Sequence, residues 1–267
     1  MIENQKSHLI KYWEHRFEGL IFKVLPDRVL PLLAVEIRHA ETKEASFAVI
    51  DYKKNQLLFN GLGLEENWWV GLTAFYAGKL FFHLFEGREY PEPTGLVVAD
   101  ALEQSLLWEK KDVYLEKVEA QGVLVSPLKK QGKELLLLDI KSGNELNKKE
   151  LENLGGNYEQ VANSLTFPSQ YTEGTEYFKT IAQFLKYKLG IEVAHKIDYL
   201  EWNEYILLSY WEGKSNFLLS MNKKGETLFH ELLQENAGNQ LEETFFLVNN
   251  YLVSIKNKQT ILINKLV

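Results

Sequence analysis

The chain has 267 residues and a formal net charge of −7, with 45% apolar, 25% charged and 13% aromatic residues. This composition supports a sizeable core and excludes a disordered or low-complexity chain, and the acidic balance disfavours nucleic acid or an anionic membrane as partner. With no cysteine there are no disulfides, thiol catalysis or cysteine metal sites; the N-terminus lacks the cationic start and apolar core of a signal peptide, and no 18-residue apolar run occurs, so a soluble cytoplasmic protein is expected.

In chain order, "HLIKYWEHRF" (8–17) reads as a strand standing alone. A first unit comes next and contains "FAVIDYKKNQLLF" (47–59): an apolar run into Asp51, a short polar turn, then Leu57, Leu58 and Phe59. "GLVVADALEQSLLWEK" (95–110) repeats it around Asp100, with Leu106, Leu107 and Trp108. Further copies are "ELLLLDIKSGNEL" (134–146) at Asp139 and "NFLLSMNKKGETLF" (216–229) at Met221, with Gly143 and Gly225 in the same turn position. The last, "NNYLVSIKNKQTILINKLV" (249–267), places Asn264 in the slot and has no strand after it.

Each unit reads as four strands. The second gives "WWVGLTAF", "KLFFHLF", "GLVVAD" and "SLLWEK", with Ala77-Gly78 between the first two. The slots lie 49, 39, 82 and 43 residues apart, a period a little over forty once the long gap is explained. In that gap "GTEYFKTIAQFLKYKLGI" (174–191) puts Phe178, Ile181, Ala182, Leu185 and Leu189 on one helical face, with Gly190 as a stop. An insertion therefore accounts for the gap better than a sixth, degenerate unit.

Four antiparallel strands at this period resemble the blade of a β-propeller of the quinoprotein-like or WD-like type, although no Gly-His and Trp-Asp signature recurs. The whole chain is also similar to a family of uncharacterised Bacteroidetes proteins, a resemblance that implies no activity and names no residue. The expected fold is all-β: a five-bladed β-propeller forming a single domain over 1–267. The N-terminal strand closes the last blade, and a helical insertion at about 147–191 separates blades three and four.

In such a fold one face holds only short turns, and the other collects "NGLGLEEN" (60–67), "EGREYPEPTG" (86–95), the insertion and "LQENAGNQLEE" (233–243). Binding is expected on this long-loop face. Trp68, Trp69, Tyr210 and Trp211 are candidate stacking residues, with alternation sending one of each pair inward. Glu18, Asn67, Asp112, His195 and Glu243 each precede a first strand and could ring a metal ion. Asp51, Asp100 and Asp139 read as turn residues, and the other histidines are scattered. No phosphate loop, Gly-x-Gly-x-x-Gly or Gly-x-Ser-x-Gly is present. The leading expectation is a binding or protein-interaction propeller without a cofactor, monomeric or homodimeric, which takes a protein partner or small ligand on the long-loop face. The alternative is a metal-assisted hydrolase or lyase at the channel mouth.

Overall fold

The computed structural model describes residues 9–62, 64–86, 91–128, 135–147, 163–235 and 244–267. Among them the chain is all-β with one helix, and it divides into two compact units, Gly19–Asn163 and Met1–Glu18 with Ser164–Val267. Strand β1 (Leu9–Arg16) belongs to the second unit.

In Gly19–Asn163 the first sheet is an antiparallel meander of β2 (Leu20–Pro26), β3 (Leu32–His39), β4 (Glu44–Asp51) and β5 (Gln56–Asn60). The next repeats it with β6 (Val70–Tyr76), β7 (Lys79–Glu86), β8 (Glu92–Asp100) and β9 (Ser105–Lys111). A third contains β10 (Val113–Glu119), β11 (Gly122–Pro127) and the short β12 (Leu136–Leu138), with a bridge from Leu138 to Glu145.

The second sheet is covered on both faces. Leu80, Phe82, Val97 and Ala99 join an apolar cluster with Leu32, Ala34, Phe47 and Val49 of the first sheet. The alternate residues Phe81, Leu96 and Val98 join one with Val113, Leu115, Val123 and Leu138 of the third. Alternation along a strand thus feeds two cores instead of one core and solvent, which is why these strands read as nearly continuous apolar runs.

In the other unit β13 (Leu165–Thr166) and β14 (Ser169–Thr172) precede the helix α1 (Glu176–Leu189). The fourth sheet has the order β14, β15 (Ala194–Trp202), β16 (Tyr205–Glu212), β17 (Ser215–Asn222), β18 (Thr227–Gln234). The fifth runs β1, β21 (Thr260–Leu266), β20 (Tyr251–Lys256), β19 (Phe245–Val248), β13. The isolated N-terminal strand therefore completes the last sheet, pairing from Leu9–Leu266 to Arg16–Thr260.

The segment expected as a helical insertion at about 147–191 is corrected in part. Residues 148–162 lie outside the described ones, and β13 and β14 join two different sheets before the helix begins. Thr175 caps α1 by accepting the Phe178 amide, and Gly190, in the left-handed region at φ 74, ends it. Part of its apolar face is buried within the unit, Phe178 and Leu185 against Ile197, Leu208, Tyr210, Leu219 and Met221 of the fourth sheet, while Leu189 stays exposed.

The repeated acids do hold turns. Asp51 Oδ1 accepts the amides of Lys53 and Lys54, Asp100 those of Leu102 and Glu103, and Asp139 those of Lys141 and Ser142. The register corrects the other two slots by one residue. Asp51 and Asp100 face the first residues of β3 and β7, Leu32 and Lys79. The residues facing Tyr205 and Tyr251 are Asn222 and Lys265, in place of Met221 and Asn264. Asn222 then does what the aspartates do, accepting the amides of Lys224 and Glu226. Gly143 (φ 68) lets its turn lie on the Trp108 ring, where a Cβ would come within 2.6 Å.

One further acid escapes the repeat. Asp27, fully buried after β2, accepts the amides of Val29 and Leu30 in its own turn and those of Ala77 and Gly78 in the β6–β7 turn. A single carboxylate thereby joins the first two sheets. Asp27→Ala would leave these donors unpaired and is expected to cost about 3 kcal/mol in urea unfolding; a loss below about 1 kcal/mol would show that water replaces the carboxylate there.

Candidate functional site

Within each unit the connections differ at the two ends of the sheets. One end has tight turns, at 27–31, 52–55, 77–78, 101–104, 120–121, 203–204, 223–226 and 249–250. The other has the short turns 40–43, 112, 213–214 and 257–259 together with the longer separations between β5 and β6, β11 and β12, and β18 and β19. The polar chemistry concentrates at this loop-bearing end.

The first strand of four sheets carries a β-bulge in its pairing with the second, at Ile21/Lys23, Leu72/Ala74, Leu115/Lys117 and Ala194/Ile197. A bulge turns an amide out of the ladder. In β6 and β10 that amide is met by a side chain of the preceding sheet: Leu72 N–H donates to Glu36 Oε2 at 2.7 Å, and Leu115 N–H to His83 Nε2 at 3.0 Å. Glu36 and His83 are the fifth residues of β3 and β7, and Ser126 and Ser209 stand fifth in β11 and β16. In the sequence His83 is one of the scattered histidines. The available signal is a lone polar residue at a fixed place in an apolar strand, in "LLAVE", "KLFFH", "GVLVS" and "YILLS".

Both junctions of this unit are fully engaged. Buried Glu36 also accepts from Arg38, whose guanidinium donates to the Trp68 and Val70 carbonyls and lies 5.3 Å from the Phe22 and Trp68 ring centres. His83 stacks on Tyr114 with ring centres 4.5 Å apart, and burial, with Lys23 adding to it, pulls its pKa down to about 4. Accepting at Nε2 fixes a neutral ring protonated at Nδ1.

Between the fourth and fifth sheets the corresponding layer is larger and incompletely paired. The two-residue bulge in β15 exposes His195 and leaves Lys196 buried, 3.6 Å from the buried Asp198 carboxylate. Asp198 also accepts from Gln170 (3.0 Å) and from Thr244 Oγ1 at the start of the fifth sheet (2.9 Å). Asn216 donates to Ser209 Oγ and to the Tyr210 carbonyl, both at 3.0 Å. Among the described residues, Trp211 Nε1, Gln234 Oε1, Ser254 Oγ and, further along β17, Ser220 Oγ are buried without a hydrogen-bond partner. A buried ion pair beside unpaired polar atoms calls for a reason beyond folding.

Tyr210 and Trp211 are both buried, so the expected inward-outward split is corrected: the fourth sheet, like the second, is covered on both faces. Burial raises the Tyr210 pKa, and its hydroxyl meets His230 Nε2 at 2.7 Å. Trp68 and Trp69 are half-buried, their amides held by Glu66 Oε1. Glu18, Asn67 and Asp112 are exposed and lie before β2, β6 and β10, whereas His195 lies inside β15. Glu243 is outside the described residues. Among the described residues no three histidine, aspartate or glutamate side chains are grouped to hold a metal ion, and no helix is long and apolar enough to cross a membrane.

The family model of a domain of unknown function, DUF4905, matches residues 27–108, from the β2–β3 turn into β9. A comparison with curated proteins finds no match. Among solved structures the chain is similar to BamB from Moraxella catarrhalis, at 9% identity and a TM-score of 0.37, over 97% of this chain and 91% of that one. It is also similar to a prolyl endopeptidase, at 9% identity and a TM-score of 0.35, over 94% of this chain and 50% of that one, so it spans about half the endopeptidase. Neither likeness bears on the chemistry of the site.

His83 gives the loop-bearing end a measurable signature. Its folded pKa of about 4 lies below the unfolded value near 6.5. The unfolded chain therefore takes up the proton first, and the stability from the neutral ring is complete above about pH 6.5 and lost as pH falls toward 4. His83→Gln can accept the Leu115 amide without titrating, so its urea midpoint should fall less steeply over that window. Equal slopes in the two proteins would refute the assignment.

Proposed function

We propose that this chain is a non-catalytic binding protein. In this reading its five sheets are the five blades of one propeller domain, with β1 closing the last blade. The binding site is the loop-bearing end of the fourth and fifth sheets. The observation that supports it most is the contrast between the two ends: side-chain-capped turns at one, and buried, bulge-aimed polar groups toward the other. A rigid sheet scaffold presenting loops is the usual setting for recognition. The partner is a protein or a small ligand, and acidic net charge argues against nucleic acid.

Exposed residues at the two ends of the fourth sheet allow a controlled test. His195→Glu, Lys214→Glu and Glu235→Lys alter the loop-bearing end, and Glu204→Lys with Lys224→Glu alter the turn end. In quantitative affinity capture from host lysate, the first set should reduce the captured species at least about tenfold, a loss of roughly 1.4 kcal/mol, while the second leaves them unchanged. Equal effects from both sets, or none from the first, would defeat the reading.

A further inference from the structure

Helix α1 has an outer side that the fourth sheet does not cover. Phe178, Ile181, Ala182 and Leu185 pack toward that sheet, whereas Tyr177, Thr180, Phe184 and Tyr187, at three-four-three spacing, lie outside the contact. All four are exposed, Tyr187 by 94% and Tyr177 by 68%. Tyr171 of β14 stacks on Tyr177 with ring centres 5.2 Å apart, and Phe184 borders the β17–β18 turn, 3.9 Å from where a Cβ on Gly225 would stand. The rings thus form a band along a helix about 21 Å long. At about 200 Å² for a whole ring side chain, the three expose about 400 Å². An apolar surface of that size marks a site of interaction, and against an equal area it suits a small, reversible interface.

The order of residues along the band identifies its occupant. Tyr177 and Tyr187 are equally far from Ala182, and so are Thr180 and Phe184, and Glu176 and Lys188. Turned about a two-fold axis at the level of Ala182, the band meets itself with tyrosine near tyrosine, the bulky Phe184 near the small Thr180, and the acidic first turn near the basic last turn. Lys186 is held by Glu192 at 2.8 Å, so the charges the helix offers at its two ends, Glu176 and Lys188, are one of each sign. They also suit the helix's own dipole, but the Tyr187 ring has no such internal use. A uniformly acidic or basic partner, or an anionic membrane, would meet one end as a like charge. An antiparallel copy meets both as opposites. We propose that α1 is the contact of a homodimer, in which two copies of this chain pack their helices antiparallel through Tyr177, Phe184 and Tyr187, with Glu176 of each beside Lys188 of the other. This goes beyond the binding reading above and concerns a surface that reading does not use.

The test is sedimentation equilibrium of the full chain from low to high micromolar concentration, where the mass should rise from one chain toward two. The double variant Tyr177→Ala, Tyr187→Ala removes two exposed rings, so at low concentration its Tm should stay within about 2 °C of the original while self-association weakens at least about tenfold. Glu176→Lys and Lys188→Glu each bring like charges together at both ends of the contact, and each alone should weaken the dimer about tenfold. An equimolar mixture of these two variants restores opposite charges at both ends and should associate as tightly as the original chain. The mass of a single chain at every concentration overturns the proposal, as does a dimer that the double tyrosine variant leaves intact. A mixture that associates no more tightly than either variant alone refutes the antiparallel arrangement.

Discussion

A sheet buried on both faces has no solvent side for its polar groups, and the rest of the structure answers to that constraint. In the second sheet Phe81 and Phe82 point into different apolar clusters, and in the fourth Leu207 and Leu208 do the same. Any amide that leaves its ladder between such sheets must find a side chain of a neighbouring sheet, because water is excluded and an unpaired group is costly. The bulges in the first strands create those amides, and Glu36 and His83 meet two of them. Apolar faces bring the sheets together, and these polar contacts set how each is aligned on the next.

The same device has two outcomes. At the first two junctions the polar residue in the fifth place of the second strand is used up in joining sheets. Between the fourth and fifth sheets that residue is Ser209, whose hydroxyl pairs with Asn216 of its own sheet, and the cross-sheet contact passes to Asp198 and Thr244. A longer bulge aims Lys196 at Asp198. This exchange leaves Trp211, Gln234 and Ser254 with unused hydrogen-bonding capacity inside the packed layer.

Helix α1 shows how a local signal can be right about form and silent about use. Its spacing, its Thr175 cap and its Gly190 stop are all local, and all are present in the structure. An amphipathic helix looks equally ready to dock a partner or to cover its own sheet. For its inner side the fourth sheet supplies the answer, since Ile197, Leu208, Tyr210 and Leu219 offer a continuous apolar face that Phe178 and Leu185 bury.

The sequence by itself determined the repeated antiparallel units, the aspartate-held turns, the helix, and the N-terminal strand that completes the last sheet. Each arises from near-neighbour physics: alternation, a carboxylate reaching its own turn amides, helical spacing, or a strand-length apolar run needing a partner. Only the tertiary structure decided the rest. The turn role falls to Asn222 in place of Met221, because Asn222 is the residue opposite Tyr205 and no local pattern records the partner strand. Two-sided covering buried Tyr210 and Trp211 together, against the alternation expected of a half-exposed strand. The joints made by Asp27, Glu36, His83 and Asp198 depend on which sheet lies opposite which, and that is set only when the apolar faces have met.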